Sequence, residues 1–283
     1  MRATDLHTHS AVSDGTETPT ALIEQARLAG LDIVALTDHD TDRGIAEARE
    51  AASSAGLGLL PGMEVSAKHH GRSIHILALG NTPAPGSDFA LKLNEVRDSR
   101  EKRAQHIVER LGEDFPITWE AVLEIASGRG VSVASVGRPH IADALTRAGV
   151  VTGRAEAFET MLAPHSPYYV PYRALEAAEA IAGIHASGAL AVGAHLMTVK
   201  RGKGLSSDAC QELVESGLDG FEVFHREHGE AERAALVEIA HERGLIVTGG
   251  SDYHGSGKPN RLGENTTSEE SLERILEATS ARL

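Results

Sequence analysis

Short apolar runs that stop at an ionisable residue recur along this chain, and they constrain its fold more than any other feature. I-V-A-L runs into Thr37-Asp38-His39, A-L-A-V-G-A into His195, and F-E-V-F into His225. V-T-G-G-S runs into Asp252 and His254, and Glu64 lies within P-G-M-E-V-S. Runs this short, rich in β-branched residues, read as buried strands rather than helices. Helical patterns separate them, over residues 22–28, 43–55, 174–186, 207–216 and 230–243, with a last one over 268–278. Thr18 or Thr20 can cap the first, and Gly30 and Gly56 stop the first two. The β-α-β-α-β opening, through G-L-L-P-G-M-E-V-S and S-I-H-I-L-A-L-G, implies parallel pairing. In parallel β/α folds, groups beyond the carboxyl ends of strands gather on one rim. His75 is the exception, because it lies inside its run.

The middle of the chain breaks the alternation. From residue 88 to about 164 the pattern is helical almost throughout, as in L-K-L-N-E-V-R-D-S-R-E-K-R-A-Q-H-I-V-E-R-L. N-T-P-A-P-G before it and P-H-S-P-Y-Y-V-P after it have linker composition. The expected organisation is an α/β barrel built from 1–86 and 167–283, with a helical subdomain inserted over 87–166.

Composition narrows the partners. A formal charge of −14 argues against general binding of nucleic acid backbone, unless bound cations reverse the local field. Cys210 is the single cysteine, so no intrachain disulfide exists and a reducing compartment fits. The N-terminus has no apolar h-region and no run reaches a membrane span, so a cytoplasmic protein without membrane contact is expected. No obligate protein partner is evident.

Fifteen histidines stand against four tyrosines and one tryptophan, and they are grouped. T-D-L-H-T-H-S-A-V-S-D-G-T alone places Asp5, His7, His9 and Asp14 in one short stretch. Each such residue alone is ordinary: a turn carboxylate, a capped loop, a hydrogen-bonded histidine. Together at about nine places they point to metal. Imidazole with carboxylate suits zinc, manganese or iron, and calcium would want oxygen alone. The absence of a cysteine cluster excludes a structural zinc knot. Six histidines and three carboxylates exceed one tetrahedral ion, so two or three divalent ions (Mn, Zn, Fe or Mg) are expected, with a bridging carboxylate.

D-L-H-T-H-S-x-x-S-D-G, T-D-H-D-T, G-M-E-V-S, the internal histidine of S-I-H-I-L, the strand-end A-H and the final S-D-Y-H resemble, in order, the motifs of the PHP (polymerase and histidinol phosphatase) superfamily. V-G-R-P-H-I-A-D-A-L resembles the subgroup of small phosphoesterases acting on nucleotides, including 3′,5′-bisphosphates and AMP. The resemblance implies a distorted (β/α)7 barrel with a helical insertion and usually three metals. It implies that His7, His9, Glu64 and Asp252 hold one ion, that Glu64 bridges to a second with His75 and His195, and that Asp14, His39 and His254 hold the third. Asp5, Asp38 and Asp40 match the pattern either as partners orienting imidazoles or as plain turn carboxylates. Where the family commonly has proline after the strand-end histidine, this chain has Leu196.

Such a site suits phosphate ester hydrolysis. Clustered cations acidify a bound water and neutralise phosphoryl oxygens, so a bridging hydroxide can attack phosphorus in line. Arg138 is the expected phosphate grip, since a guanidinium reads phosphate bidentately. His140 is a weaker substrate candidate that can equally lie on a helix surface. His225, at a strand end, can contact phosphate or donate a proton. The run V-K-R-G-K-G, with Lys200, Arg201 and Lys203, can attract nucleotide or be a solvated loop. The expected activity is phosphate monoester hydrolysis on a small nucleotide. A 5′–3′ exonuclease on short RNA or DNA, a histidinol phosphatase and a non-enzymatic metal-binding module are the alternatives.

Overall fold

A computed structural model describes residues 2–127, 136–171, 173–199 and 204–283. Lys200, Arg201 and Lys203 lie outside the described residues. Seven strands form one nearly closed sheet in the order β1 (Thr4–Thr8), β2 (Ile33–Leu36), β3 (Gly58–His69), β4 (Arg72–Leu79), β6 (Leu190–Ala194), β7 (Gly220–Phe224) and β8 (Ile246–Gly249). The two-residue β5 (Leu175–Glu176) adds to the outer end of β3. Just past β8, Tyr253 bridges to Thr8 and its carbonyl accepts the His9 N–H at 2.8 Å, which brings the last strand back to the first.

The helices between strands begin and end as their residues dictate. Thr18 caps α1 (Pro19–Leu28) by accepting the Ala21 N–H, with Pro19 at its first turn. Gly56 ends α2 (Ile45–Ala55) in the left-handed conformation. α7 (Ala177–Ala186), α8 (Ser207–Glu215), α9 (Glu230–Arg243) and α10 (Glu269–Thr279) complete the outer layer. Leu6, Leu60, Leu77, Leu79, Val192 and Ile246 form a buried cluster with Ile275 of α10, joining strands from around the sheet. Leu196, which follows the strand-end histidine His195, is buried in the neighbouring cluster with Leu205 and Leu218.

One expectation fails. β4 is not parallel: it runs antiparallel to both β3 and β6. The cause is local. Only His70 and Gly71 separate β3 from β4, and both have positive φ, at 49° and 76°. That is the signature of a two-residue hairpin turn, which leaves no room for a helical crossover. The reversal explains why His75 lies inside its run. It pairs with Ala194, the last residue of β6, so the beginning of β4 meets the active rim.

Between β4 and β5 lie α3 (Asp88–Gly112), α4 (Trp119–Ser127), α5 (Arg138–Arg147) and α6 (Arg154–Glu159). Phe89, Leu93 and Val96, early in α3, pack into the barrel's cluster. Ala104, Ile107, Val108 and Leu111, later in the same helix, join a separate cluster with Val122, Ile141, Leu145 and Ala157. One 25-residue helix therefore serves two hydrophobic cores.

Candidate active site

The structure brings all nine sequence-predicted ligands to the rim. His7 and His9 face each other through their Nε2 atoms at 3.1 Å. Glu64 Oε2 lies 3.3 Å from His7 Nε2 and 3.1 Å from His9 Nε2, and Asp252 Oδ1 lies 3.5 and 3.4 Å from the same atoms. Glu64 is the hub. Its Oε2 also meets His39 Nδ1 at 3.1 Å, while Oε1 meets His75 Nδ1 at 2.8 Å and His195 Nε2 at 3.1 Å. Asp14 Oδ1 lies 3.1 Å from His254 Nε2 and 3.8 Å from both His39 Nε2 and His9 Nδ1. Donor atoms fall into three compact groups: His7, His9, Glu64 and Asp252; His39, Glu64 and His75; and His9, Asp14, His39 and His254. The second differs from the expected set of Glu64, His75 and His195: His39 joins Glu64 and His75, and His195 meets Glu64 from outside the group.

These residues fit divalent cations. Nitrogen and carboxylate oxygen converge in each group. His9 Nδ1, His39 Nδ1, His225 Nε2 and His254 Nε2 are buried and make no aligned hydrogen bond, although a carboxylate oxygen lies 3.1–3.8 Å from each, an arrangement that a shared cation would satisfy. Charge–charge interactions oppose burial at Glu64 and His7, whereas at His39 and His254 burial and neighbouring cationic side chains together lower the pKa. Burial pushes Glu64 up, but His75, His39 and His7 hold it well below the usual carboxylate range. Burial pushes His7 down, but Glu222 and Glu64 outweigh it and hold the imidazole well above its ordinary value.

Glu222 is the residue that sequence reasoning missed. It is buried at the centre of β7, where its Oε1 lies 2.9 Å from His7 Nδ1 and its Oε2 accepts the His195 N–H at 2.9 Å. It fixes His7, a ligand of the first group, and the backbone of His195, which meets Glu64. The signal was a carboxylate inside an apolar strand, F-E-V-F, where an unpartnered charge would be prohibitive. Gly250 makes room, since a Cβ there would sit 2.4 Å from His7 Cβ and 2.7 Å from Glu222 Oε1.

Asp5, Asp38 and Asp40 bond no imidazole. Asp5 accepts backbone N–H groups of His7, Ser251 and Gly263. Asp38 accepts the Ser10 N–H and the hydroxyls of Ser10 and Ser13. Asp40 accepts the Ser66 N–H and pairs with Arg100 at 2.9 Å. They are the carboxylates that brace the ligand loops.

A cavity of about 420 Å³ opens over the rim. The barrel contributes Asp14, His39, His75, His254 and Lys258 to its lining, and the helices contribute Arg97, Arg100, Arg103, Arg138 and Arg154. Arg138 is held by the Leu162 carbonyl at 3.2 Å and stacks over Phe158 at 5.3 Å. Of these five only Arg138 was expected; the spacing of three along α3 is the signal that could have found Arg97, Arg100 and Arg103. Lys258 Nζ lies 2.7 Å from Asp252 Oδ2.

The other two candidates lie elsewhere than expected. His140 does not line the cavity. It is fully buried, neither on a helix surface nor facing substrate, and its Nδ1 accepts the Gly137 N–H at 3.1 Å to cap the helix that begins with Arg138. His225 lies beneath the rim, fully buried, with Nδ1 accepting the Glu227 N–H at 3.2 Å and Nε2 3.8 Å from Asp252 Oδ2. Neither position follows from sequence, because a strand-end residue can turn towards the rim or below it.

A nearly closed α/β barrel whose rim gathers imidazoles and carboxylates beneath a cationic cavity defines a metal-dependent hydrolase. Comparison with known proteins makes the class specific. Residues 5–134 match the PHP domain family. The chain is 31% identical to a 3′,5′-nucleoside bisphosphate phosphatase of Chromobacterium violaceum, covering 92% of this chain and 90% of that protein. It is 34% identical to a phosphoribosyl 1,2-cyclic phosphate 1,2-diphosphodiesterase of Eggerthella lenta (89% and 94% covered) and to the 5′-3′ exoribonuclease Rnm of Escherichia coli (88% and 84%). A crystal structure of a provisionally assigned metal-dependent phosphoesterase from Bifidobacterium adolescentis superposes with a TM-score of 0.92 at 42% identity, over 97% of this chain and 96% of that one. The chain belongs to the PHP family and is a metal-dependent phosphoesterase, a hydrolase of phosphate esters. Among the described residues no helix is long and apolar enough to cross a membrane.

Proposed function

We propose that the protein releases phosphate from a small nucleotide bearing a phosphate monoester, a 3′,5′-bisphosphate or an AMP-like compound. The cavity carries this reading. Its volume lies within the roughly 300–1,000 Å³ of small-molecule sites, and it sets five arginines opposite the ligand cluster in a chain of net charge −14, with Arg100 and Arg154 balanced by Asp40 and Asp143. So local a concentration of cations selects an anion. The helices that supply the arginines cover the site, which favours a small or end-threaded substrate over the middle of a duplex.

Two or three divalent ions (Mn, Zn, Fe or Mg) would be held by His7, His9, Glu64 and Asp252, by Glu64 and His75 with His39 or His195, and by Asp14, His39 and His254. When bound, such ions neutralise phosphoryl oxygens and acidify water enough to supply a nucleophile near neutral pH. The chain's own residues do the rest. Arg138, pre-oriented on Phe158, grips phosphate. Lys258 places an ammonium between the cavity and Asp252. Glu222 orients His7 by facing its Nδ1, so that Nε2 points into the cluster. His225 acts through Asp252: its Nδ1 is occupied by the Glu227 N–H, which leaves an Nε2 proton facing the carboxylate.

The similarity to exoribonucleases supports a second reading, hydrolysis of short RNA from its 5′ end. One experiment separates them. Metal-loaded protein is assayed on AMP, 3′,5′-bisphosphates, histidinol phosphate and 5′-phosphorylated oligonucleotides, with release of phosphate and of mononucleotide followed separately. The highest kcat/KM is expected for phosphate release from a bisphosphate. Faster mononucleotide release from oligomers would replace the first reading with the second.

A further inference from the structure

A second group of metal-binding side chains lies outside the active site and shares no residue with it. His69 ends β3 and His70 opens the hairpin turn, while Glu212 projects from α8. Both imidazoles aim Nε2 at one oxygen, Glu212 Oε2, at 3.0 Å for His69 and 2.6 Å for His70. Their ring centroids are 4.2 Å apart. At about 3.3 Å per residue along a strand, His69 lies roughly 16 Å from Glu64.

We propose that His69, His70 and Glu212 form an accessory site for a zinc-class divalent ion. Two imidazoles and one carboxylate are the donors such an ion prefers, whereas magnesium and calcium prefer oxygen alone. His69 is largely buried and sets the site's position, while His70 and Glu212 are exposed and leave coordination positions open to water. The turn supports the geometry. His70 sits at φ 49°, where asparagine or glycine would serve the hairpin equally well. Histidine fills the position and brings a second imidazole beside the first.

An ion here would fasten the tip of the β3–β4 hairpin to α8. Beside the tip, Arg72 of β4 donates to the carbonyl of Gly204, in the segment that leads into α8, at 3.1 Å. That hairpin carries Glu64 and His75, so its tip is a place from which a bound ion can steady the rim.

The test counts metal in the complete protein. Wild type and His70→Asn, each loaded with active-site ions, are equilibrated with micromolar zinc and dialysed, and total metal per chain is measured by elemental analysis. Asparagine tolerates the turn, so the variant keeps its fold, and equal melting temperatures without zinc check this. Wild type should hold about one equivalent more than the variant, and amides of the hairpin tip should exchange more slowly with zinc only in wild type. Glu212→Gln should weaken the extra binding about tenfold or more. Equal totals in wild type and His70→Asn, or hairpin exchange indifferent to zinc, would overturn the site.

Discussion

The barrel and the inserted helices meet at the cavity with opposite chemistry. The barrel supplies imidazoles and carboxylates, drawn from the ends of strands up to 247 residues apart in sequence, from His7 to His254. The helices supply guanidinium groups, three of them one helical turn apart on α3. The first set depends on the whole fold for its geometry. The second is assembled locally and depends on the fold only to be aimed. The candidate metal ligands and the arginines therefore sit in separate pieces of chain, so the proposed roles of the two can be tested one at a time.

The largest effect should come from the barrel's hub. Glu64→Ala removes the carboxylate shared by five imidazoles, and both bound metal and turnover should fall, kcat by on the order of 10³-fold or more. Elemental analysis with a phosphate-release assay checks this, and near-normal turnover would show that the cluster is structural. Glu222→Gln should come next. It keeps the shape but removes the charge facing His7, so metal affinity or activity should drop about 10–100-fold. Competition with a chelator measures the affinity; an unchanged value would return Glu222 to packing alone.

On the helical side the expected effect is smaller and of another kind. Arg138→Ala removes a charged hydrogen bond worth about 1.5–3 kcal/mol. Metal content should be retained and kcat/KM for the nucleotide should fall about 10–100-fold, mostly through KM. Loss of metal in this variant would erase the division between the two regions. The smallest effect concerns pH. In the metal-free protein, burial lowers the pKa of His9, but Asp252 and Glu64 outweigh it and raise the value to about 9 from 6.5. A raised folded pKa stabilises fully below the unfolded value and is lost as pH rises through the folded one. Metal-stripped protein should therefore lose stability between about pH 6.5 and 9, while metal-loaded protein should not, because bound metal takes the place of the proton. Urea unfolding at a series of pH values reads the difference, and parallel profiles would remove the proton from the account.

Much of the fold was legible because its signals are short-range. Thr18 caps α1, Gly56 ends α2, and α9 covers the residues its pattern marks. The direction of β4 was also written locally, in the His70-Gly71 turn, but an apolar run reads the same in either direction. His75 therefore looked displaced until pairing with Ala194 set it level with the other ligands. His225 and His140 show the reverse limit: residue type and place in an element do not say which way a side chain turns.

What the sequence determined by itself is the inventory. It set which residues can carry metal and the alternation that makes a β/α barrel, because composition and periodicity are properties of neighbours in the chain. Tertiary structure alone decided the grouping: Glu64 among five imidazoles, Glu222 behind His7, and the arginines of α3 turned towards the rim. Those contacts join residues far apart in sequence, and strand register and helix packing set their distances. Neither is a property of any single stretch.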